Sequence, residues 1–198
     1  MPVGDKQKLI TSIVSIVLGE TAQTNKKFDW FVNKHLREHF AEQFLTIDKI
    51  FNTLNGNFTA NQSKRTKSLD CDAYFGGKYN FIFEFDEFQH FTSARLKTLN
   101  LYSKTLKVNF QISEWKKLCE LNKFKADNYR HSKTTADFNF EGGRTAQRAY
   151  LDCFRDLLPK RNNLNPTLRI NEFEVADIYN NNAASCKKIE NILKVRLK

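Results

Sequence analysis

Hydrophobic and polar positions follow two periods along the chain, and the period predicts which element each segment forms. Apolar residues between 9 and 18 recur at helical spacing and predict an amphipathic or largely buried helix. Aromatic and aliphatic residues at three- and four-residue steps predict a longer helix over about 28–54, ended by Asn55-Gly56. The same spacing predicts the later helices, which we expect over 93–101, from 114 to about 124, over 144–158 and near the C-terminus.

Strands are predicted where apolar residues alternate with a period of two. Residues 69–75 and 79–86 are expected to form a hairpin around Gly76-Gly77. Two further strands are predicted over 105–112 and 168–175, and the polar segment 125–143 is predicted to be a long loop.

The order of these elements predicts one α/β domain with a mixed central sheet flanked by helices. Helices come first, the hairpin is central, and mixed elements follow. A length of 198 residues fits a single domain over 1–198, with an N-terminal helical part over 1–60 and a core over 61–198.

Candidate chemistry concentrates in the hairpin, where carboxylates are threaded through runs of phenylalanine. The polar residues of this stretch are Asp72, Glu84, Asp86, Glu87, Gln89 and His90. Acids beside so many aromatic residues need a partner, because an isolated buried charge is costly. A hard divalent cation such as Mg²⁺ is the simplest partner for clustered carboxylates.

The length of the hairpin loop decides whether Asp72 and Glu84 meet. A strict two-residue turn at Gly76-Gly77 puts the two carboxylates on opposite faces, whereas a loop of three or five residues pairs Asp72 with Ile82 or Glu84. The metal hypothesis therefore requires an odd loop or a bulge. The alternative is an acidic hairpin on a solvated sheet face, with phenylalanines packed below it.

Composition adds an anionic partner to this hypothesis. The chain is 40% hydrophobic and 13% aromatic, which is typical of a globular protein and not of a disordered one. Lys and Arg number 32 against 22 Asp and Glu, giving a formal net charge of +10. Such an excess favours nucleic acid or another anionic surface, although it also serves solubility.

Cysteine spacing and the N-terminal segment predict a cytoplasmic protein with free thiols. Four widely spaced cysteines form no CxxC pair, which argues against a cysteine-rich zinc site. The apolar stretch 9–18 contains Thr11, Ser12 and Ser15, is too short to span a membrane and has no convincing cleavage site. We expect a reducing compartment and no membrane partner.

The spacing of the hairpin residues resembles the PD-(D/E)XK nuclease superfamily. Asp72 is followed after eleven residues by Glu84-x-Asp86, with Gln89-His90 behind it. This pattern is most similar to the small very-short-patch-repair-like endonucleases, which carry D-F-x-L and then I-E-x-D-G-x-Q-H. The resemblance covers about twenty residues and implies a restriction-endonuclease-like core. It also implies that Asp72 and Glu84 hold Mg²⁺, helped by a backbone carbonyl, while water attacks a phosphodiester.

Two departures from the superfamily pattern affect the implied site. Asp86 occupies the usual lysine position, as it does in that branch, and Glu87 replaces the branch's glycine. Asp86 is a candidate for holding a second metal or orienting water, and Gln89 or His90 for positioning and polarising groups. Metal chemistry does not require the lysine in principle, since the metal itself lowers the pKa of bound water.

Basic residues predict a nucleic-acid surface around the core. Arg144, Gln147 and Arg148 open the helix predicted over 144–158, where guanidinium groups and free amides suit phosphate. Arg65 and Lys67 precede the first strand of the hairpin. Arg155, on the adjoining stripe of the helix, has an ordinary alternative as the ion-pair partner of Asp152 or Asp156.

A competing zinc site is indicated by the segment His35-Leu-Arg-Glu38-His39, which matches the H-x-x-E-H pattern of inverted zinc peptidases. Two histidines four residues apart on a helix both reach Zn²⁺. The third ligand, an acid far downstream, is not evident.

These observations together predict an Mg²⁺-dependent endonuclease, with Mn²⁺ as a substitute. The resemblance implies hydrolysis of DNA by a small type II-like restriction or defence enzyme, and a duplex cutter with one core per chain predicts a symmetric homodimer. The main alternative is a non-catalytic DNA-binding protein with a degenerate nuclease core. Neither the recognition sequence nor the choice between DNA and RNA follows from the sequence.

Overall fold

The structure is a computed structural model that describes residues 4–37 and 43–197. Within these ranges the helices are α1 Asp5–Leu18, α2 Phe44–Thr53, α3 Phe58–Ser63, α4 Ser93–Asn100, α5 Ile112–Asn128, α6 Gly143–Leu157 and α7 Ala183–Arg196. The strands are β1 Lys27–Val32, β2 Ser68–Asp70, β3 Ala73–Phe75, β4 Phe81–Asp86 and β5 Asn165–Asn171. The prediction of a mixed α/β chain is therefore confirmed.

The central sheet has the order β3-β4-β5 and is mixed. β3 and β4 form the antiparallel hairpin, and β5 lies parallel to β4 on its other side. The connection from β4 to β5 contains α4, α5 and α6, as a parallel pair requires a long crossover. A second, two-stranded sheet pairs β1 with β2.

The hairpin loop has the odd length that the metal hypothesis requires. Phe75 pairs with Phe81, so the loop comprises residues 76–80. Two left-handed residues, Gly77 (φ 53°) and Asn80 (φ 45°), close it, and the Asn80 amide donates to the Gly76 carbonyl at 3.2 Å. Extending the register by one pair places position 72 opposite position 84.

Two hydrophobic cores lie on opposite sides of this sheet. On one side, β3, β4 and β5 pack with α1 and α7 through residues including Ile13, Phe83 and Ile189. On the other side, α2, α4, α5 and α6 share a larger aromatic core. Helix α6 lies between that core and the sheet, because its apolar stripe faces the helices while charged residues face β4.

The start of α6 is fixed by a close backbone approach. A Cβ atom at Gly143 would lie 1.8 Å from the Phe138 carbonyl oxygen, so only glycine fits there. Gly142 adopts φ 79°, a left-handed conformation that glycine adopts without strain. These glycines place the first turn of α6 against the loop that follows α5.

Several sequence predictions are wrong in detail. The helix predicted over 28–54 is instead β1 followed, after the undescribed residues, by α2; the 1–60 part is therefore not all helical. Residues 105–111 contain an isolated bridge, Asn109 to Leu168, in place of the predicted strand, Ile112 begins α5, and the last strand is shifted to 165–171. The 69–75 strand is broken, with β2 and β3 in different sheets.

Helix boundaries agree with the prediction at the start of α4 and differ for α5. Helix α4 begins at Ser93 as predicted, and Thr92 caps it by accepting from the Arg95 amide. Helix α5 runs to Asn128, so the loop before α6 is shorter than predicted. None of the helices in the described ranges is long and apolar enough to cross a membrane.

Candidate metal centre

Asp72 and Glu84 come together at the end of the hairpin. The Asp72 amide donates to Glu84 Oε1 at 3.4 Å, and the Phe85 amide donates to Asp72 Oδ2 at 2.8 Å. The odd loop therefore brings Asp72 next to Glu84, with Glu84 in contact with Arg155 of α6 and Asp72 lining a cleft beside α1. The loop length that the metal hypothesis requires is confirmed, and the shared metal site stays a prediction.

Glu84 is buried and Asp72 is partly buried, which makes their charge costly. Only 4% of Glu84 is exposed. Burial raises the pKa of Glu84 to about 8, with Arg155 acting in the opposite direction and Asp72 reinforcing the rise. Burial also raises the pKa of Asp72, opposed by the hydrogen bond from Phe85. Two neighbouring buried acids of this kind are stabilised by a cation.

The cation beside them in this structure is Arg155, which reaches across from α6. Its Nε lies 2.8 Å from Glu84 Oε1, and its Nη1 lies 3.6 Å from Asp152 Oδ1. Its Nη2 donates to the Asp70 carbonyl at 3.1 Å, and the guanidinium lies 4.6 Å from the centroid of the Phe31 ring. The Nε–H is buried without a hydrogen-bond acceptor, so its closeness to Glu84 is not a completed hydrogen bond.

Asp86 lies on the same sheet face but is engaged elsewhere. Arg169 Nη1 donates to its Oδ1 at 2.7 Å, and Trp115 Nε1 donates to its Oδ2 at 2.7 Å. Both oxygens of the predicted third metal ligand therefore already accept strong hydrogen bonds. Arg169 also pairs with Asp156, which accepts from Arg95 as well.

His90 lies beside Asp86 and Gln89 beside Glu87, and among the described contacts the Asp72–Glu84 pair has no hydrogen bond or ion pair with either, although the charge of His90 acts on Asp72. His90 Nδ1 lies 3.3 Å from Asp152 Oδ2 and 3.5 Å from Asp86 Oδ1. Gln89 Nε2 donates to Glu87 at 2.5 Å, and the Gln89 side-chain oxygen is buried without a partner. The structure thus places these two candidates next to the acids but leaves their predicted role untested.

The residues joined by these contacts form one buried charge cluster with an excess of acid. Its carboxylates are Asp72, Glu84, Asp86, Asp152 and Asp156, and its guanidinium groups are Arg95, Arg155 and Arg169. Carboxylates therefore outnumber guanidinium groups by two. Although burial disfavours charge at Asp152 and Asp156, their cationic neighbours lower both pKa values, so the surplus is concentrated at Asp72 and Glu84.

A cleft of about 390 Å³ leads to Asp72 from the side of α1. Its lining is polar apart from Ala22 and includes Gln7, Lys8, Ser12 and Asn25. Asp72 is thus open to a ligand at one end of the cluster, whereas Asp86 and Asp156 are fully enclosed.

The predicted nucleic-acid residues lie at two places around the site. Arg148 Nη1 donates to the Gln89 carbonyl at 3.1 Å, next to His90. Gln147 joins Arg144 to the buried Asp137. Arg65 and Lys67 belong to the segment that Asn33 holds by hydrogen bonds to their backbone, which leaves both side chains at the surface.

The zinc motif is only partly within the described residues, since Glu38 and His39 lie outside them. His35 follows β1, outside any helix, and is buried. Its Nδ1 lies 2.5 Å from the Tyr150 hydroxyl, which also accepts the His35 amide at 2.9 Å. Nδ1 is therefore already bonded in this structure. Among residues 4–37 and 43–197, no group of three or more His, Cys, Asp or Glu side chains suits a metal.

Sequence reasoning missed the cationic half of the cluster. No sequence signal that we used pointed to Arg169 or Arg95, and Arg155 was predicted either to lie on the basic stripe or to pair with Asp152 or Asp156, of which the Asp152 contact is present at 3.6 Å. One signal was present: Arg169 is the only charged residue between Leu164 and Asn171 in an otherwise uncharged strand segment. A lone buried arginine in such a strand indicates an acidic partner on a neighbouring element.

Comparison with known proteins adds no assignment, because no family model, curated protein or solved structure matches the chain.

Proposed function

We propose that the protein is a metal-dependent endonuclease that hydrolyses DNA phosphodiester bonds. The observation that carries this proposal is the neighbouring pair of buried Glu84 and partly buried Asp72, brought together by a five-residue hairpin loop. The sheet order and the helix α6 beside the pair agree with the mixed sheet and following helix that the resemblance implies. The net charge of +10 suits a polyanionic substrate.

The donor set fits Mg²⁺ or Mn²⁺. Mg²⁺ is usually bound by one or two carboxylates and completed by water and substrate phosphate, so a pair of acids is sufficient. Asp72 and Glu84 would hold the ion. When bound, it supplies a Lewis acid that lowers the pKa of water and neutralises charge on the phosphate.

The chain's own residues have three tasks in this proposal. Asp72 and Glu84 fix the reacting phosphate relative to α6, and Arg148 and Arg144 bind flanking phosphates. In the reaction, a water oxygen bonds to phosphorus as one ester bond breaks, and the water proton passes to the leaving oxygen or to solvent. Gln89 and His90 are proposed to assist the reaction indirectly, His90 through its contacts with Asp86 and Asp152.

Asp86 is assigned a supporting place in this proposal. Its two oxygens accept from Arg169 and Trp115, so it anchors β4 to β5 and α5. We therefore do not assign it to the metal, in contrast to the ligand set expected from the sequence.

A second function, a non-catalytic DNA-binding protein, is favoured by the position of Arg155. A guanidinium 2.8 Å from Glu84 Oε1 already supplies positive charge where a metal would lie. In that case Arg155 substitutes for the metal permanently, and the cluster is a structural remnant of a nuclease core.

Digestion of a supercoiled plasmid with Mg²⁺ or Mn²⁺ separates the two functions. The endonuclease proposal predicts nicked or linear product, its loss in Asp72→Asn and Glu84→Gln, and DNA binding retained by both variants. Asp177→Asn and Glu190→Gln remove exposed carboxylates of the same types and serve as matched controls. Absence of cleavage of DNA or RNA with either metal, together with DNA binding, would establish the second function.

A further inference from the structure

The lysine position of the hairpin motif carries no positive charge in this chain. Asp86 stands there, and its oxygens are occupied by Arg169 and Trp115. A phosphodiester substrate next to the surplus carboxylates of the cluster would bring further negative charge. The site therefore needs a cationic donor from another element.

Arg155 is the guanidinium that α6 delivers to this place. It is held from three directions: Nη2 donates to the Asp70 carbonyl, Nη1 donates to the Leu151 carbonyl at 3.3 Å, and Phe31 lies against its face. These contacts fix the group without help from Glu84. A fixed donor costs no reorganisation when charge develops beside it.

The Nε–H of Arg155 differs from the other buried guanidinium donors of the cluster. Arg169 directs Nη1 at Asp86 and Nε at Asp156 in completed hydrogen bonds of 2.7 and 2.8 Å. The Arg155 Nε is buried 2.8 Å from Glu84 Oε1, in an ion pair that does not have the geometry of a hydrogen bond. Buried donors are nearly always satisfied, so an unsatisfied one next to a candidate site indicates an oxygen that arrives with a ligand.

We propose that Arg155 supplies the cationic group that Asp86 does not, by donating its Nε–H to an oxygen of the reacting phosphate. This inference rests on the proposed endonuclease function. Arg155 is then a catalytic residue contributed by α6, and its contacts to Asp70 and Leu151 orient it. The alternative is that Arg155 is purely a structural partner of Glu84.

Single-turnover cleavage of a DNA fragment, at saturating protein, tests the role of Arg155. For Arg155→Gln we expect Mn²⁺ and DNA binding within threefold of the parent protein, and a cleavage rate lower by about 100- to 1,000-fold, as for loss of one preorganised donor. For Arg155→Lys we expect recovery of at least tenfold, because the charge returns without the planar fork. Lys194→Gln, an exposed cation-to-glutamine change in α7, is the matched control.

Each other outcome overturns the inference. A rate for Arg155→Gln within threefold of the parent protein removes Arg155 from the reaction while leaving the endonuclease function intact. Loss of thermal stability together with cleavage in both variants, without recovery by lysine, makes Arg155 structural. Absence of metal-dependent cleavage by the parent protein defeats the proposed function and the inference with it.

If Arg155→Gln does not fold, Arg155→Lys alone decides. Folding with normal Mn²⁺ and DNA binding, and cleavage slowed between threefold and 100-fold, supports the inference. A rate equal to that of the parent protein, or complete loss of cleavage by the folded variant, contradicts it.

Discussion

The two faces of the β3-β4-β5 sheet differ completely although they belong to the same short strands. On one face, Phe81, Phe83 and Phe85 pack against α1 and α7. On the other, Glu84 and Asp86 meet the guanidinium groups of Arg155 and Arg169. Neighbouring residues of β4 therefore contribute to stability by different physics: dispersion and dehydration on the apolar face, and charge compensation on the charged face.

The difference between the apolar and the charged face indicates where a ligand is expected. The apolar face is complete in itself, because every large side chain of β4 on that side is buried among others. The charged face has more acids than guanidinium groups, and under the proposed function a bound cation would balance the difference. Substitutions on the two faces should consequently affect stability and ligand response in different proportions.

The largest effect on stability is expected from Phe83→Ala on the apolar face. Phe83 is fully buried, and deletion of a buried phenyl ring costs about 3–5 kcal/mol in the free energy of unfolding. Urea denaturation measures the loss. The difference in the free energy of unfolding between variant and parent protein should be the same with Mn²⁺ as without it. Phe124→Ala, at a ring that is 83% exposed, is the control and should cost less than about 1 kcal/mol. A loss below that limit for Phe83→Ala would show that this face is not a packed core.

A comparable loss is expected from Arg169→Met on the charged face, for an electrostatic reason. The change leaves Asp86 without its guanidinium partner and Asp156 with Arg95 and the Tyr102 hydroxyl, and breaking a buried ion pair costs about 3–5 kcal/mol. Adding Asp86→Asn to Arg169→Met should recover part of that loss in the same urea measurement. If the single variant is as stable as the parent protein, charge compensation is not what holds this face together.

The hairpin and α6 were predictable from the sequence because both depend on local signals. Glycine and asparagine set the loop, and a clean apolar stripe sets the helix. The strand β1 was missed because the apolar spacing of 28–32 also fits a helix, and only pairing with β2 decides between them. The strand propensity of the residues is a weak guide where pairing with a distant strand decides the structure.

The candidate site was predictable only in its acidic half. Asp72 and Glu84 are twelve residues apart, and the parity of one loop determines whether they meet. Their cationic neighbours come from much farther along the chain: Arg169 lies 83 positions from Asp86. No periodicity in the sequence connects such positions, so the partners became visible only in the fold.

Metal binding is expected to stabilise the charged face and to do so through Glu84. At a concentration 100 times its dissociation constant, Mn²⁺ should raise the free energy of unfolding by about 2.7 kcal/mol in the parent protein. Glu84→Gln should abolish this gain, whereas Glu190→Gln should keep it. Thermal unfolding with and without EDTA measures both, and a full gain in Glu84→Gln would place the metal elsewhere.

The variant Glu84→Gln also tests the charged face through the pH dependence of stability. The pKa of folded Glu84 is raised to about 8 from an ordinary value of 4.5, so the folded state binds the extra proton. Stability in EDTA should therefore fall as pH rises from about 4.5 to 8, and Glu84→Gln should flatten that slope. A flat profile in the parent protein would mean that Arg155 keeps Glu84 ionised throughout the range.

The smallest predicted effect comes from His35, a buried titratable group in the aromatic core beyond α6, and it has the opposite sign. Burial lowers the pKa of His35 below its ordinary 6.5, although Asp48 acts against this, and Nδ1 shares a hydrogen bond with the Tyr150 hydroxyl. The unfolded chain then binds more protons, so stability is lost as pH falls below about 6.5. The slope cannot exceed about 1.4 kcal/mol per pH unit for one proton.

The contribution of Glu84 makes the free energy of unfolding change with pH in the opposite direction. The effect of His35 is therefore best measured in the Glu84→Gln background. Urea denaturation at pH 7.5 and 5.5 should show a decline that His35→Gln removes and that His131→Gln, at an exposed histidine, does not. Persistence of the decline in His35→Gln would assign the acid sensitivity to the charged face instead. The two pH dependences thus distinguish the buried imidazole of His35 in the aromatic core from the buried carboxylate of Glu84 on the charged face.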